Sequence, residues 1–285
     1  MKDSADDSSP QKTVSSASEN HTNTPDGGVD GYDASELGLV DGGLSGWYLN
    51  DSDEIYRGIR IGSDDVLVDV GCGDGDAVMF CAKRGARVIA VDIDPDAIAR
   101  LEPRLANSGA GSYAAYVSNS TPLPIDDATA TLVICSEVLE HVEDPEKVLA
   151  EIFRIGKPGA RYLLTVPDPL QENMQKHVAP ESYFQRPNHI RIIERQQFVD
   201  MVKNAGLVVE EKAYYGFYWG MWWALFWACQ VDLDNVSHPI LDNWNATWRA
   251  LLKSKRGIEL KWQLDQFMPK SQLIVARKPS TTESP

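Results

Sequence analysis

A doubly wound α/β sheet, helices covering both faces, is the fold class this 285-residue sequence predicts. Three observations predict it. Short apolar runs alternate with amphipathic stretches between residues 64 and 167, the first run ends in a glycine cluster, and two helical stretches open on an Asp-Pro pair. Strand, crossover helix and parallel strand repeat right-handedly in such sheets, and ligands sit at the carboxyl ends of the strands.

Each element has its own reason. Val66-Leu67-Val68-Asp69-Val70 is an apolar run of the kind a buried parallel strand needs. Residues 77–84 read as the helix after it, and 87-RVIAVD-92 as the second strand. Asp94 serves as N-cap with Pro95 at the first helical position, so residues 95–105 form the next helix. Strands are expected at 113–117 and 131–136, separated by the loop 118-SNSTPLPIDDAT-129. Asp144-Pro145 repeats the cap, the turn 157-KPGA-160 ends that helix, and 161-RYLLTVP-167 is a further strand. An amphipathic helix at 194–207 leads to a sixth strand at 208–217, and 271-SQLIVARKP-279 is a seventh.

Chemistry is concentrated in 69-DVGCGDG-75 and Asp92. Gly71, Gly73 and Gly75 let the backbone turn tightly and approach a ligand closely. The sixth position counted from Gly71 is Asp76, where a dinucleotide site wants a small residue, so a nicotinamide-dependent oxidoreductase is disfavoured. An acid before the glycines suits a cationic ligand, and Asp92 ends a strand where it can accept both hydroxyls of a ribose.

The runs 66-VLVDVGCGDG-75, 88-VIAVD-92, 122-PLPIDD-127, 137-EVLEHV-142 and 154-RIGKPG-159, in this order, resemble class I S-adenosylmethionine-dependent methyltransferases, most closely the ubiquinone and menaquinone biosynthesis branch. The resemblance covers residues 64–217 and 271–279. It implies a Rossmann-like seven-stranded sheet with an antiparallel last strand, and S-adenosylmethionine as cofactor. Asp69, Gly71, Cys72, Gly73 and Gly75 would then face the methionine part, Asp92 the ribose and Ile93 the adenine. Asn119 and Ser120 stand where the family usually has Asp-Ala, and Asn still offers an acceptor to the adenine amino group. Ala130-Thr131 replaces the usual Phe-Asp. Ser136, Glu137 and His141 would lie beside the reacting methyl.

Methyl transfer needs a base only where the nucleophile must lose a proton. His141 and His189 are the catalytic candidates, His177 is a third histidine in reach, and Arg191 beside His189 suits an acidic substrate as well as a loop contact. No carboxylate cluster has metal-ligand spacing, so no metal is expected. The four cysteines lack a C-x-x-C pair and read as reduced thiols.

The run 213-AYYGFYWGMWWALFWACQV-231 is uncharged, starts in the sixth strand and enters an insertion before the seventh. A single membrane crossing would separate two strands of one sheet. Three readings stay open: an aromatic lid over the site, a membrane-facing patch, and a core or dimer-contact helix. In the lid reading Trp219, Trp222, Trp223 and Trp227 exclude water and Tyr48 and Tyr56 close from the other side, giving an acceptor with apolar bulk.

Charge narrows the partners. The first 55 residues hold twelve carboxylates against two lysines, most of the net −15, and no basic stripe compensates, so nucleic acid is not expected. Residues 1–35 read as a disordered acidic tail without a signal-peptide pattern, implying a cytoplasmic protein with at most peripheral membrane contact. The expected organisation is then a cap segment at 36–63, a core at 64–217 and 270–279, the insertion at 218–269, and a short disordered tail at 280–285. Function follows as methyl transfer to a small organic acceptor, at oxygen before carbon or nitrogen, against a non-catalytic module that only binds the cofactor.

Overall fold

Val66–Val70 (β4) is the seed of the sheet: it pairs in parallel with Arg87–Asp92 (β5) on one side and Ala130–Ser136 (β7) on the other. The computed structural model describes residues 34–280 except 234. Ser112–Val117 (β6) continues the sheet beyond β5, and Gly156–Pro167 (β8) continues it beyond β7. Ser271–Arg277 (β10) inserts antiparallel between β8 and Val208–Tyr215 (β9), giving the order β6-β5-β4-β7-β8-β10-β9. The seven-stranded, doubly wound prediction with one antiparallel strand is met. Direction of winding reverses between β4 and β7, so their loops flank the crevice where such sheets bind ligands.

Local chemistry sets the helix starts. Asp94 accepts from the Asp96 amide to cap Pro95–Ala106 (α3), and Asp144 accepts from the Lys147 amide to cap Pro145–Ile155 (α4). Asp76–Ala82 (α2) starts instead after Gly75 in the left-handed region, φ 81°. A Cβ added there would lie 2.4 Å from Leu101 Cδ1 of α3. Leu101 is fully buried, so it has nowhere to retreat. Gly75→Ala combines left-handed strain with overpacking, and a loss of about 2–4 kcal/mol is expected in urea unfolding.

Two boundaries differ from the sequence reading. The turn expected at 157–160 lies inside β8, where the pairing with β7 shifts register between Ala130 and Leu132 and Gly159 takes φ 82°. The segment before the core also holds a helix, Ala34–Ser45 (α1), and a small antiparallel sheet of Trp47–Leu49 (β1), Glu54–Tyr56 (β2) and Ile59–Arg60 (β3). Strands this short carry no readable period. Of the tails expected at 1–35 and 280–285, Ala34 and Ser35 instead open α1, while 1–33 and 281–285 lie outside the described residues.

Pro169–Gln175 (α5) follows β8, and Arg195–Asn204 (α6) precedes β9. Between β9 and β10 lie Phe217–Ala228 (α7), Pro239–Leu252 (α8) and Lys255–Phe267 (α9). A helix apolar all round must be covered on all sides. α7 meets that demand by packing against α1, α5, α8 and α9, with Tyr218, Trp222 and Phe226 in one core cluster with Leu37, Leu241 and Trp248. No described helix is long and apolar enough to cross a membrane.

Candidate functional site

The glycine loop leaves β4 at the crevice and is held by the backbone of β5, since the amides of Gly71 and Cys72 both donate to Val91 O. Gly71 has φ 75°, and a Cβ there would fall 2.2 Å from Val138 Cγ2, which shows how closely the β4 and β7 loops cross. Asp92, at the end of β5, accepts from Gly73 N through Oδ2 (2.8 Å) and from Asp94 N through Oδ1 (2.9 Å). Each oxygen keeps a further lone pair for a hydroxyl. Ile93 beside it is 72% exposed, a bare apolar face of the kind an aromatic base covers.

Asp69 is buried near the end of β4, and burial, with the charges of Asp92 and Asp76, pushes its carboxyl up to about 7. Asp74 Oδ2 in the loop is buried without a hydrogen-bond partner. An exposed apolar face, a hydroxyl-accepting acid, a loop carboxylate with one oxygen unbonded and the other paired with Arg100, and a buried acid form a cradle that fits a nucleoside with a cationic tail. Asn119 uses Oδ1 to accept from Thr121 N, leaving one lone pair, while Ser120 is buried at φ 67°.

Across the crevice lies a dense polar cluster. Ser136 Oγ is 2.8 Å from Thr165 Oγ1, which in turn donates to Glu137 Oε1, and Glu137 Oε2 pairs with Lys270 Nζ at 2.9 Å. Burial pushes Glu137 up, but Lys270 more than offsets this and the carboxyl lies below its ordinary range. His141 Nδ1 bonds the Pro187 carbonyl at 3.1 Å, and His189 Nδ1 bonds Glu172 Oε2 at 2.8 Å. Tyr183 OH donates to Glu172 Oε1. Burial, then the neighbouring His189, lowers the His141 pKa.

The two imidazoles stand edge to face at 4.9 Å, because Ile190 N donates to Glu140 O and draws the 186–193 segment onto the β7 loop. Glu140 itself is 1% exposed and neither of its carboxylate oxygens has a hydrogen-bond partner. One ligand atom each from Glu140, His141 and His189 lie within 4.8 Å of one another, a set able to hold a metal ion that sequence spacing did not disclose.

Several expected site residues are placed elsewhere. Trp219 packs over Gly38 of α1, and Trp222 is inside the helical core with Trp219, Trp223 and Phe226 around it. An enclosed helix cannot present all its faces to a crevice, so these three tryptophans form core rather than a lid. Trp227 is the one that reaches the cluster, 5.9 Å from Tyr183. Tyr56 is buried in the core beside Trp47, whereas Tyr48 feels the charges of Asp76 and Asp69 and borders the glycine loop. Arg191 donates to Glu143 O at the surface, and His177 is exposed beyond α5. Glu140, Glu172, Tyr183 and Lys270 were missed. The available signal was a run of polar residues, Gln171, Glu172 and Gln175, on the buried face of α5.

Residues 68–164 match the model of a methyltransferase domain family. Over 152 residues the chain is 26% identical to a probable S-adenosylmethionine-dependent methyltransferase of Mycolicibacterium smegmatis, covering 53% of this chain and 55% of that protein. Over 92 residues it is 35% identical to the ubiquinone biosynthesis O-methyltransferase of Methylococcus capsulatus, covering 32% and 39%. The chain thus spans about half or less of the length of these relatives. Geranyl diphosphate C-methyltransferase from Streptomyces coelicolor shares the fold at TM-score 0.52 and 16% identity, over 86% of this chain and 80% of that one. The match over residues 68–164 is to a methyltransferase domain, and S-adenosylmethionine is the cofactor named for the Mycolicibacterium relative.

Proposed function

We propose that this protein transfers a methyl group from S-adenosylmethionine to a hydroxyl of a small organic acceptor. The observation that carries the reading is the Glu172–His189 pair at 2.8 Å, beside the loop that crosses the glycine turn. A carboxylate that accepts from Nδ1–H leaves the neutral ring a lone pair on Nε2, the form a general base requires. S-adenosylmethionine supplies an electrophilic methyl carbon and a thioether leaving group. The acceptor O–H gives its proton to His189 Nε2 as the oxygen bonds the methyl, and the electron pair of the broken carbon–sulfur bond stays on sulfur. Alignment of acceptor and cofactor across the crevice, with water kept out by Tyr183 and Trp227, contributes most of the remaining acceleration.

In the same reading the cofactor ammonium lies at Asp69. A cation binds the ionised carboxylate, and Asp69 ionises only as pH rises through about 7. Affinity for S-adenosylhomocysteine is therefore expected to strengthen between pH 5.5 and 7, approaching ~10-fold per unit in the acidic part of that window. Calorimetry across this range checks it, and Asp69→Asn should flatten the dependence.

The deciding assay incubates the protein with methyl-labelled S-adenosylmethionine and a fractionated cell extract. Label appearing in a small organic fraction supports the proposal. Cofactor binding with no label transferred in any fraction returns the choice to a binding module.

A further inference from the structure

Three carboxylates line the cluster, Glu140 and Glu172 buried and Glu137 half-buried, and their partners differ. Glu137 has Lys270, and Glu172 has the Tyr183 hydroxyl and the His189 ring. Glu140 has neither oxygen hydrogen-bonded, although 1% of it is exposed. A buried carboxyl group without a donor is costly unless something outside the chain supplies one.

The groups nearest Glu140 deepen the demand for donors. His141 Nε2 lies 3.6 Å from Glu140 Oε1, and the Nδ1 of that ring already faces the Pro187 carbonyl. A carbonyl accepts, so the proton of the neutral ring sits on Nδ1 and Nε2 carries a lone pair. Aromatic rings wall the same place, with Tyr183 4.5 Å from the His189 ring and Trp227 beyond it. Three acceptor atoms with no bonded donor, the two Glu140 oxygens and His141 Nε2, beside an aromatic wall together select a cation carrying N–H groups.

We propose that the methyl acceptor carries an ammonium group that Glu140 and His141 hold, next to the hydroxyl that His189 deprotonates. This rests on the methyl-transfer reading and names its substrate class as an amino alcohol. Because the ligand atoms of Glu140, His141 and His189 lie within 4.8 Å of one another, the amine and the hydroxyl belong on neighbouring carbons. The N–H groups of the ammonium give the Glu140 oxygens and His141 Nε2 donors.

The test compares a matched pair, 2-amino-1-phenylethanol and 1-phenylethanol, by calorimetry on the full chain with and without S-adenosylhomocysteine. The amine is expected to bind at least about tenfold more tightly, the size of a hydrogen-bonded charge interaction with a buried acid. Glu140→Gln should bring the two compounds to within about threefold. Its unchanged affinity for S-adenosylhomocysteine would show an intact fold. No advantage of the amine in the wild-type protein, including no binding of either compound, overturns the proposal, as does an advantage that survives in Glu140→Gln. Stoichiometric zinc or manganese in the purified protein, lost on Glu140→Gln, overturns it too and makes the cluster a metal site. Failure of S-adenosylhomocysteine to bind would strike the methyl-transfer reading alone, since the amine comparison is also run without it.

Discussion

His189→Ala is expected to lower kcat by ~10²–10⁴-fold while leaving the affinity for S-adenosylmethionine nearly unchanged. The size follows from the role: a hydroxyl is a weak nucleophile until its proton leaves, and no other described histidine has its Nδ1 fixed by a carboxylate. The split follows from position, because the ring is on the 186–193 segment and not on the glycine loop or beside Asp92. Glu172→Gln is a graded companion. Its amide oxygen can still accept from His189 Nδ1, so the ring stays oriented, but the charge that stabilises the protonated imidazole is gone, and about a tenfold loss is expected. Equal losses in both variants would point to collapse of the Tyr183–Glu172–His189 chain instead. Partial recovery of His189→Ala by added imidazole separates proton transfer from packing. A change of less than about threefold in kcat would sink the base assignment and favour an acceptor that attacks without losing a proton to the enzyme.

How much of this was legible in the sequence follows the range of the interactions. Strand β5 was read at its observed limits, Arg87–Asp92, because a buried parallel strand is a continuous apolar run bounded by polar residues. The starts of α3 and α4 were legible because an Asp cap and a following proline are local devices. The residues expected at the cofactor are local in the same way, drawn mainly from one loop and one strand end. The acceptor half is not. Glu140 comes from the β7 loop, Glu172 from α5, Tyr183 from the turn at 181–184, His189 from the next segment and Lys270 from the start of β10. Nothing in spacing brings five separate segments together; only the sheet order does. The aromatic helix stayed unassigned on similar grounds, since an uncharged nineteen-residue run is compatible with a lid, a membrane patch or a core. Tertiary partners decided it: α1, α8 and α9 each contribute apolar side chains to the cluster that encloses α7.

Those helices also contain the residue whose loss should cost most in stability. Lys261 of α9 is completely buried, hydrogen-bonded to Ser45 Oγ and Asp265, and 3.5 Å from Asp41 Oδ2. Asp41 also accepts from Trp248 Nε1, and Asp265 accepts from Phe217 N at the first turn of α7. One ammonium therefore ties together α1, α7, α8 and α9. Lys261→Met keeps the volume but leaves two buried carboxylates without their cation, and a loss of about 3–5 kcal/mol is expected in urea unfolding. The pH dependence identifies the cause. Burial already pushes Asp41 up to about 6 even with Lys261 beside it. A carboxyl whose folded-state pKa is raised binds its proton more tightly when folded, so its contribution to stability falls as pH rises from about 4 through 6. Without Lys261 the Asp41 carboxyl shifts further up and that fall extends to higher pH. The stability gap between wild type and Lys261→Met should accordingly be widest near pH 8 and shrink toward pH 5, where Asp41 is neutral in the variant. A gap independent of pH would mean that the lysine acts through its packing, and a gap that widens on acidification would reverse the sign that buried, cation-starved carboxylates require.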